Sequence, residues 1–417
     1  MRRLASLSML LAFLVAPLAG AAAPAAPVFS LTAKATKVAD GSSWQGNGGR
    51  QVAVSGNNVY VAFHGPAGEP SVARSTDGGL TWSTPAVLAN DAIRGNATGT
   101  VRVAIAKDPL YAGKHIVCAA WGTNDDQIFY SYFVDRPTGA GWSAPVSLAG
   151  PAGGWAFTVA LAAAPNGSVH LIFAGTSGGT YLASATAADA PFSAPVLLPW
   201  TSEGANHSMA FDAASDLYVV ESHWDLAGTA FVTFHKKAAA SSAWSAVDVA
   251  VSNASTQLGD NVSIAVFNSS HIYIAYKQYS TAETNPANHV WTAYSSDGGA
   301  TWTRRPVTPN AAVYGTHPSI AVAANAQGTK VVTVAAHYLD YGPAGRVFVN
   351  RSTDNGATWS PNATGPGTQQ VSLTLDSAGK ALVMSVHNDL SAAEQAFLGG
   401  AIDPGWNSRP IYFTREK

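Results

Sequence analysis

One short pattern of apolar and small positions recurs seven times along the chain. Gln51-Val-Ala-Val54, Arg102-Val-Ala-Ile105, Thr158-Val-Ala-Leu161, Ser208-Met-Ala-Phe211, Ser263-Ile-Ala-Val266, Ser319-Ile-Ala-Val322 and Ser372-Leu-Thr-Leu375 follow one another at intervals of 50 to 56 residues. Each places large apolar side chains at its second and fourth positions and a small one at its third, the period-2 alternation of a strand. Alanine holds the third position in six of the seven, which suits strands crowded around an axis. A turn follows, such as Gly56-Asn57-Asn58 or Pro165-Asn-Gly-Ser168, and then a second strand such as Val169-His-Leu-Ile-Phe173. A repeat of this length made of short strands predicts an all-β chain, a β-propeller with four-stranded antiparallel blades. Seven hairpins predict seven blades; six is the alternative.

The outer half of the repeat carries a second signature. Ser75-Thr-Asp-Gly-Gly-Leu-Thr-Trp82, Ser295-Ser-Asp-Gly-Gly-Ala-Thr-Trp302 and Ser352-Thr-Asp-Asn-Gly-Ala-Thr-Trp359 share the pattern S-x-D-x-G-x-T-W. It suits a hairpin turn. The carboxylates of Asp77, Asp297 and Asp354 can accept N–H groups across the bend, and the glycines adopt φ > 0 at little cost. Trp82, Trp302 and Trp359 can then bury against a neighbouring sheet. Gly141-Trp-Ser-Ala-Pro145, Pro191-Phe-Ser-Ala-Pro195 and Ala243-Trp-Ser-Ala-Val247 keep the aromatic of this register without the aspartate. The pattern resembles the Asp-box, or BNR repeat, of the sialidase-like β-propeller superfamily, and the resemblance spans nearly the whole chain after its first residues. It implies that these boxes are structural and lie on the face away from the functional site.

Six blades are complete from within. The seventh hairpin, 371–387, is followed by Arg409-Pro-Ile-Tyr-Phe-Thr-Arg415 and then the end of the given sequence, so its outer strand is expected from Val28-Phe-Ser-Leu-Thr-Ala-Lys34. Such closure leaves no open sheet edge. Before it, two arginines, an apolar run from Met9 to Leu18 and Ala19-Gly-Ala-Ala-Ala23 read as a secretory signal peptide over 1–23, with a linker over 24–27 and a single propeller over 28–417. The expected location is secreted, extracellular or periplasmic.

Composition narrows the partners. Only 12% of the 417 residues are charged and the formal net charge is −2, which argues against nucleic acid. No segment after the leader is long enough to insert in a membrane. Cys118 is the only cysteine, so packing rather than a disulfide holds the fold. The chain is read as a monomer that takes a glycan or polysaccharide, with no cofactor. No H-x-H or H-E-x-x-H spacing calls for a metal.

The resemblance also implies where the site lies: on the face where first strands start and second strands end. That rim collects His207, His317, His337, Tyr338, Asp340, Tyr341 and Asp260 as candidates for proton transfer or nucleophilic attack. Arg50, Arg102, His64, His223, Lys277, His387 and Arg409 are candidates for binding an anionic sugar, and Trp121, Trp155 and Trp224 for stacking on pyranose rings. The family's arginine on the first inner strand corresponds to Arg50, one of a group that would bind a substrate carboxylate. Its tyrosine nucleophile has no counterpart in Ala381-Leu-Val-Met-Ser-Val-His-Asn-Asp389, leaving Tyr314, Tyr338 and Tyr341 as substitutes.

Three functions remain open. A glycosidase acting on glycans with an acidic sugar is favoured, dividing acid and nucleophile roles between a carboxylate and a second group. A polysaccharide lyase would use His, Tyr and Arg instead. A glycan- or protein-binding propeller would need no chemistry at all.

Overall fold

The computed structural model describes residues 31, 35–41, 50–90, 97–123, 127–137, 139–148, 159–175, 179–200, 203–280, 289–307, 315–338, 346–360, 363–366, 369–386 and 409–416. The expected leader and linker lie outside them. The described chain is all strand and turn, and it forms seven antiparallel sheets, one per repeat.

Blade 1 contains β2 (Val52–Ser55), β3 (Asn58–His64), β4 (Pro70–Ser75) and β5 (Ala86–Val87). Blade 2 contains β6 (Ala97–Lys107), β7 (His115–Thr123), β8 (Ile128–Arg136) and β10 (Val146–Leu148), with β9 (Gly139–Trp142) paired to β8 as well. Blade 3 contains β11 (Ala160–Ala163), β12 (Val169–Gly175), β13 (Gly179–Ala185) and β14 (Val196–Leu197), and blade 4 contains β15 (Glu203–Phe211), β16 (Leu217–Trp224), β17 (Ala230–Lys237) and β18 (Ser245–Val251). Blade 5 is β19 (Thr256–Val266), β20 (Ile272–Ser280), β21 (His289–Ser295) and β22 (Thr303–Pro306). Blade 6 is β23 (Gly315–Ala324), β24 (Lys330–Tyr338), β25 (Arg346–Ser352) and β26 (Ala363–Pro366).

Blade 7 joins the two ends of the chain. Its strands are β27 (Gln369–Leu375), β28 (Ala381–Val386), β29 (Arg409–Arg415) and, outermost, β1 (Thr36–Gly41). The closing strand sits further along the chain than the 28–34 expected from sequence. Thr36 pairs with Phe413 and Gly41 with Arg409, while Leu31 makes only an isolated bridge to Glu416. Val38 is the reason: it buries against Ile411, Phe413, Val52 and Phe63 in the core shared by blades 7 and 1. Removing residues 31–41 should bare the edge of β29 and produce aggregation in light scattering. An unchanged monodisperse protein would refute this role.

The blades hold one another through two devices. Near the axis, serines at the first position of the repeated strand accept N–H groups from the next blade. Ser208 Oγ takes Ile264 N–H at 3.3 Å, Ser263 takes Ile320 at 3.2 Å, Ser319 takes Leu373 at 3.1 Å, and Ser372 takes Gln51 at 2.9 Å across the closure. Further out, the aromatics of three outer turns dock on the preceding blade. Trp82 meets Phe413 edge-on at 5.2 Å, Phe192 meets Tyr130 at 4.8 Å, and Trp302 meets Phe234 at 5.1 Å. Gly79 permits the first contact, because a Cβ there would lie 2.0 Å from the Phe413 ring.

The three octapeptides form the same turn. Asp77 Oδ1 accepts the N–H groups of Leu80 and Thr81, both at 2.9 Å, and its Oδ2 accepts the Thr81 hydroxyl at 2.6 Å. Asp297 and Asp354 repeat the bonds to Thr301 and Thr358. Hydrogen bonds from Thr301 and Ser295 lower the Asp297 carboxyl to about 2. The second turn residue has φ of 72° at Gly78 and 76° at Gly298. Asn355 keeps it at 60°, a region asparagine tolerates. Ser352, fully buried, donates to Asp354 and accepts the buried Gly356 N–H at 2.7 Å. Ser352→Ala leaves that N–H unsatisfied and should lower stability by about 1–3 kcal/mol in denaturant melts. Ligand binding per folded molecule should be unaffected, and a loss of binding in a stable variant would contradict a purely structural turn. Gly78 N–H also donates to Asn57 C=O at 2.9 Å, so these turns and the inner hairpin turns share one face of the ring.

Candidate functional site

On the opposite face, where first strands enter, the ladders are irregular in a repeated way. The pairing register shifts between Thr98 and Arg102 in β6, Glu203 and Asn206 in β15, Leu258 and Val262 in β19, Thr316 and Ser319 in β23, and Gln369 and Val371 in β27. Five of seven blades thus bulge at the same level, a device that re-aims side chains and is common beside functional sites. Polar residues stand at or beside these bulges.

In blade 6 the bulge holds His317 at φ 51°, before Pro318. Left-handed backbone is unusual for histidine and marks a position held by its surroundings. The turn stacks its ring on His337, with centroids 4.8 Å apart and planes 20° off parallel. His337 is buried on β24, and desolvation, then the charges of His317 and Lys277, hold its pKa well below the usual 6.5. It is a neutral imidazole at neutral pH. Lys277 reaches the pair from β20 of blade 5, its stem lying over Gly259 in the bulge of β19. A Cβ at Gly259 would lie 2.4 Å from Lys277 Cδ.

In blade 4 four polar side chains meet below the rim. His207 on β15 lies opposite Glu221 on β16 in the ladder, and its Nε2 is 3.4 Å from Glu221 Oε2. His223 Nδ1, two residues along the same face, is 3.3 Å from Glu221 Oε1, and His235 Nε2 on β17 is 3.1 Å from it. Glu221 is only 1% exposed. Burial pushes its carboxyl up, but the bonds and charges of His207 and His235 outweigh this and leave it ionised, well below the usual range. Thr180 of blade 3 approaches His207 Nε2 at 3.3 Å, and Trp200 stacks on His235 at 3.7 Å. His223 is 20% exposed in its side chain and stacks on Phe231, next to Trp224, which is 38% exposed. These histidines surround the carboxylate rather than a common vacant point, and among the described residues no group of three or more His, Cys, Asp or Glu is arranged to hold a metal.

Other expected residues go elsewhere. Trp121 is 0% exposed and stacks on Phe129 in the core between blades 1 and 2, so it offers no face to a sugar. Arg102 is equally buried. Its Nε–H donates to Val159 C=O of blade 3 at 2.7 Å, and burial lowers its pKa to about 9. It joins two blades rather than reaching the rim. Arg50 turns away from the face into the central channel, where its Nη2 lies 3.4 Å from Ile264 C=O. His64 is buried at the end of β3. Asp260, Tyr338 and Arg409 lie in β19, β24 and β29, with only their backbone described. Trp155, Asp340, Tyr341 and His387 lie outside the described residues, as does Tyr314. The rim therefore brings together His207 with His223 in blade 4, and His317 with His337 and Lys277 across blades 5 and 6.

Glu221 and His235 are the residues that sequence reasoning missed. Their signal was present: Glu221 is two residues before His223, hence on the same strand face, and the hairpin register puts it opposite His207.

No family model and no curated protein matches the chain. Solved structures do resemble it. An ulvan lyase, a polysaccharide lyase, aligns with a TM-score of 0.61 and 11% identity over 91% of this chain and 95% of its own. The BP39L lectin from Burkholderia pseudomallei aligns with a TM-score of 0.56 and 14% identity over 81% of this chain and 96% of its own. At such identities the likeness concerns the fold. Trypanosoma rangeli sialidase also aligns, over 94% of this chain and 60% of its own, but at a TM-score of 0.47 it is too distant to argue from.

Proposed function

We propose that this chain is a secreted carbohydrate-active propeller that cleaves a uronate-containing polysaccharide by β-elimination. The observation behind this reading is the neutral, buried His337 stacked on the constrained His317 beside Lys277. A uronate carboxylate placed against Lys277 would lose part of its charge to the ammonium, which acidifies the adjacent C5–H. The same carboxylate would raise the proton affinity of His337, since an opposite charge favours imidazolium. His337 is 1% exposed and stacked under the half-buried His317 ring, so substrate must displace that ring; His337 then takes the C5 proton, the electron pair forms the C4–C5 double bond, and the C4–O bond breaks. The leaving oxygen is protonated by imidazolium or water, so no water is consumed. Trp224 and His223 supply an exposed aromatic edge for a neighbouring sugar.

The glycosidase reading fits the rim less well. It needs a carboxyl group able to keep a proton or attack a sugar, whereas among the described side chains the rim carboxylate Glu221 is buried amid three histidines. That the ulvan lyase and the lectin, both propeller-like in fold, act on or bind glycans supports a carbohydrate partner. The test is incubation of the purified chain with a panel of uronate polysaccharides while following ultraviolet absorbance of the unsaturated product. Reducing ends without the chromophore would replace elimination by hydrolysis. Saturable binding without cleavage would leave a lectin-like propeller.

A further inference from the structure

The group assigned as base is covered in the free protein. His337 is 1% exposed on β24, and the half-buried ring of His317 lies face to face on it, with centroids 4.8 Å apart. The backbone that carries the covering ring is built to move. The ladder between β23 and β24 passes from the pair Thr316–His337 to the pair Ser319–Ala335, so His317 and Pro318 stand opposite Ala336 alone. Two residues against one make a bulge, and the proline brings no N–H to it. Beyond the bulge the strand is pinned on both sides. Ser319 Oγ accepts Leu373 N–H of blade 7 at 3.1 Å, and Ile320 N–H donates to Ser263 Oγ of blade 5 at 3.2 Å. Movement at this level is therefore confined to the bulge.

His317 holds φ at 51°. Left-handed backbone is unfavourable for an L residue with a ring side chain. The following proline disfavours it further, because it pushes its predecessor toward extended conformations. The observed conformer is thus held against its local preference, and the ring stack is part of what holds it. Rotation of the His317 backbone to an extended conformation would relieve the turn and carry the ring off His337. One state gains the stack and the other gains a relaxed backbone. Two states balanced in this way are what a ligand can shift. Lys277 lies close enough for its charge to act on His337, so a carboxylate drawn to the ammonium arrives at the edge of the covering ring.

We infer that His317 is a gate over His337, covering the base in the free protein and swinging out about the bulge when a sugar enters. The inference rests on the reading of His337 as the base. The ring fills the place that the C5–H of the sugar must take. A ligand therefore uncovers the base only if it contributes more at Lys277 and His337 than the stack gives up. His317 is a positioning residue that selects for sugars whose carboxylate engages Lys277, and it takes no proton itself.

The experiment reads accessibility rather than turnover. The full chain is treated briefly at neutral pH with diethyl pyrocarbonate, which acylates neutral imidazole, and each histidine is followed by peptide mass spectrometry. His207 and His235 are internal controls, buried like His337 but under no such turn. In wild type His337 should react about 10- to 1000-fold more slowly than His317, as expected for an open state populated at about 0.1–10%. It should still react faster than His207 and His235. His317→Asn removes the ring but tolerates the left-handed backbone. It should raise the His337 rate at least about tenfold and leave both controls unchanged. A wild-type His337 as slow as the controls would show that the ring does not open, and this order decides alone if His317→Asn fails to fold. A His337 rate unchanged in His317→Asn would show that the ring is not the cover. Either result overturns the gate. Cleavage is not measured, so an absence of lyase activity would remove the base without altering this result.

Discussion

Glu221→Ala should lower the unfolding free energy by about 3–5 kcal/mol, the range expected when one member of a buried charged network is removed. In denaturant melts this is a large fraction of the stability of an ordinary domain. Three ring nitrogens, of His207, His223 and His235, lie within 3.4 Å of its carboxylate. His207 and His235, both buried, lose their acceptor at once, and His223 loses the carboxylate beside it. Glu221→Gln keeps the volume and one acceptor oxygen and should cost less. The acid dependence has a definite sign. The folded carboxyl is held below its ordinary value, so its stabilising contribution is complete above the ordinary glutamate pKa of about 4.3 and is lost as pH falls below it. Wild type should therefore lose stability faster than Glu221→Gln below about pH 4. Parallel acid profiles, or an Ala variant within about 0.5 kcal/mol of wild type, would show that the cluster does not hold this blade.

The propeller was legible because its signals are local and repeated. The period-2 tetrapeptide fixes each innermost strand, and the Asp turns fix where the third strand reverses. The closing strand was placed too early because Phe29 and Leu31 gave an apolar alternation as good as that of Val38. Which of them meets Ile411 and Phe413 is settled by packing across the seam, which no local pattern encodes. The site was legible only in part, for a related reason. Register places His207, His317 and His337 at strand ends on one face. Register does not say which way a side chain turns once the strand bulges. Arg50 runs down the channel, Arg102 crosses to Val159, and Trp121 turns into the core. Glu221 escaped notice because a carboxylate in mid-strand, next to Val219 and Val220, looks like an isolated oddity. Only the ladder shows that three histidines from three strands surround it.

If the proposed elimination operates, His337→Asn should lower the rate of polysaccharide cleavage by about 10²–10⁴-fold, the usual contribution of a positioned general base. Asparagine retains polar contacts of similar reach but cannot take a proton, so the folded protein and its glycan affinity should persist while turnover is lost. The pH profile separates this role from simple packing. Burial and the neighbouring charges of His317 and Lys277 hold His337 well below 6.5 in the free protein. The proton-free, active form therefore dominates at neutral pH, and kcat/KM, which reports the free enzyme, should fall only as pH drops through that lowered value. An acidic limb centred at or above 6.5 would contradict the assignment. Lys277→Met removes a positive neighbour, so it should move that limb upward, toward 6.5, while weakening binding of the uronate carboxylate. The two effects pull in different parameters, one in the pH at half-maximal kcat/KM and the other in KM. A purely structural lysine would move neither. If His337→Asn keeps full turnover in a folded protein, proton abstraction lies with another group and the elimination mechanism loses its base.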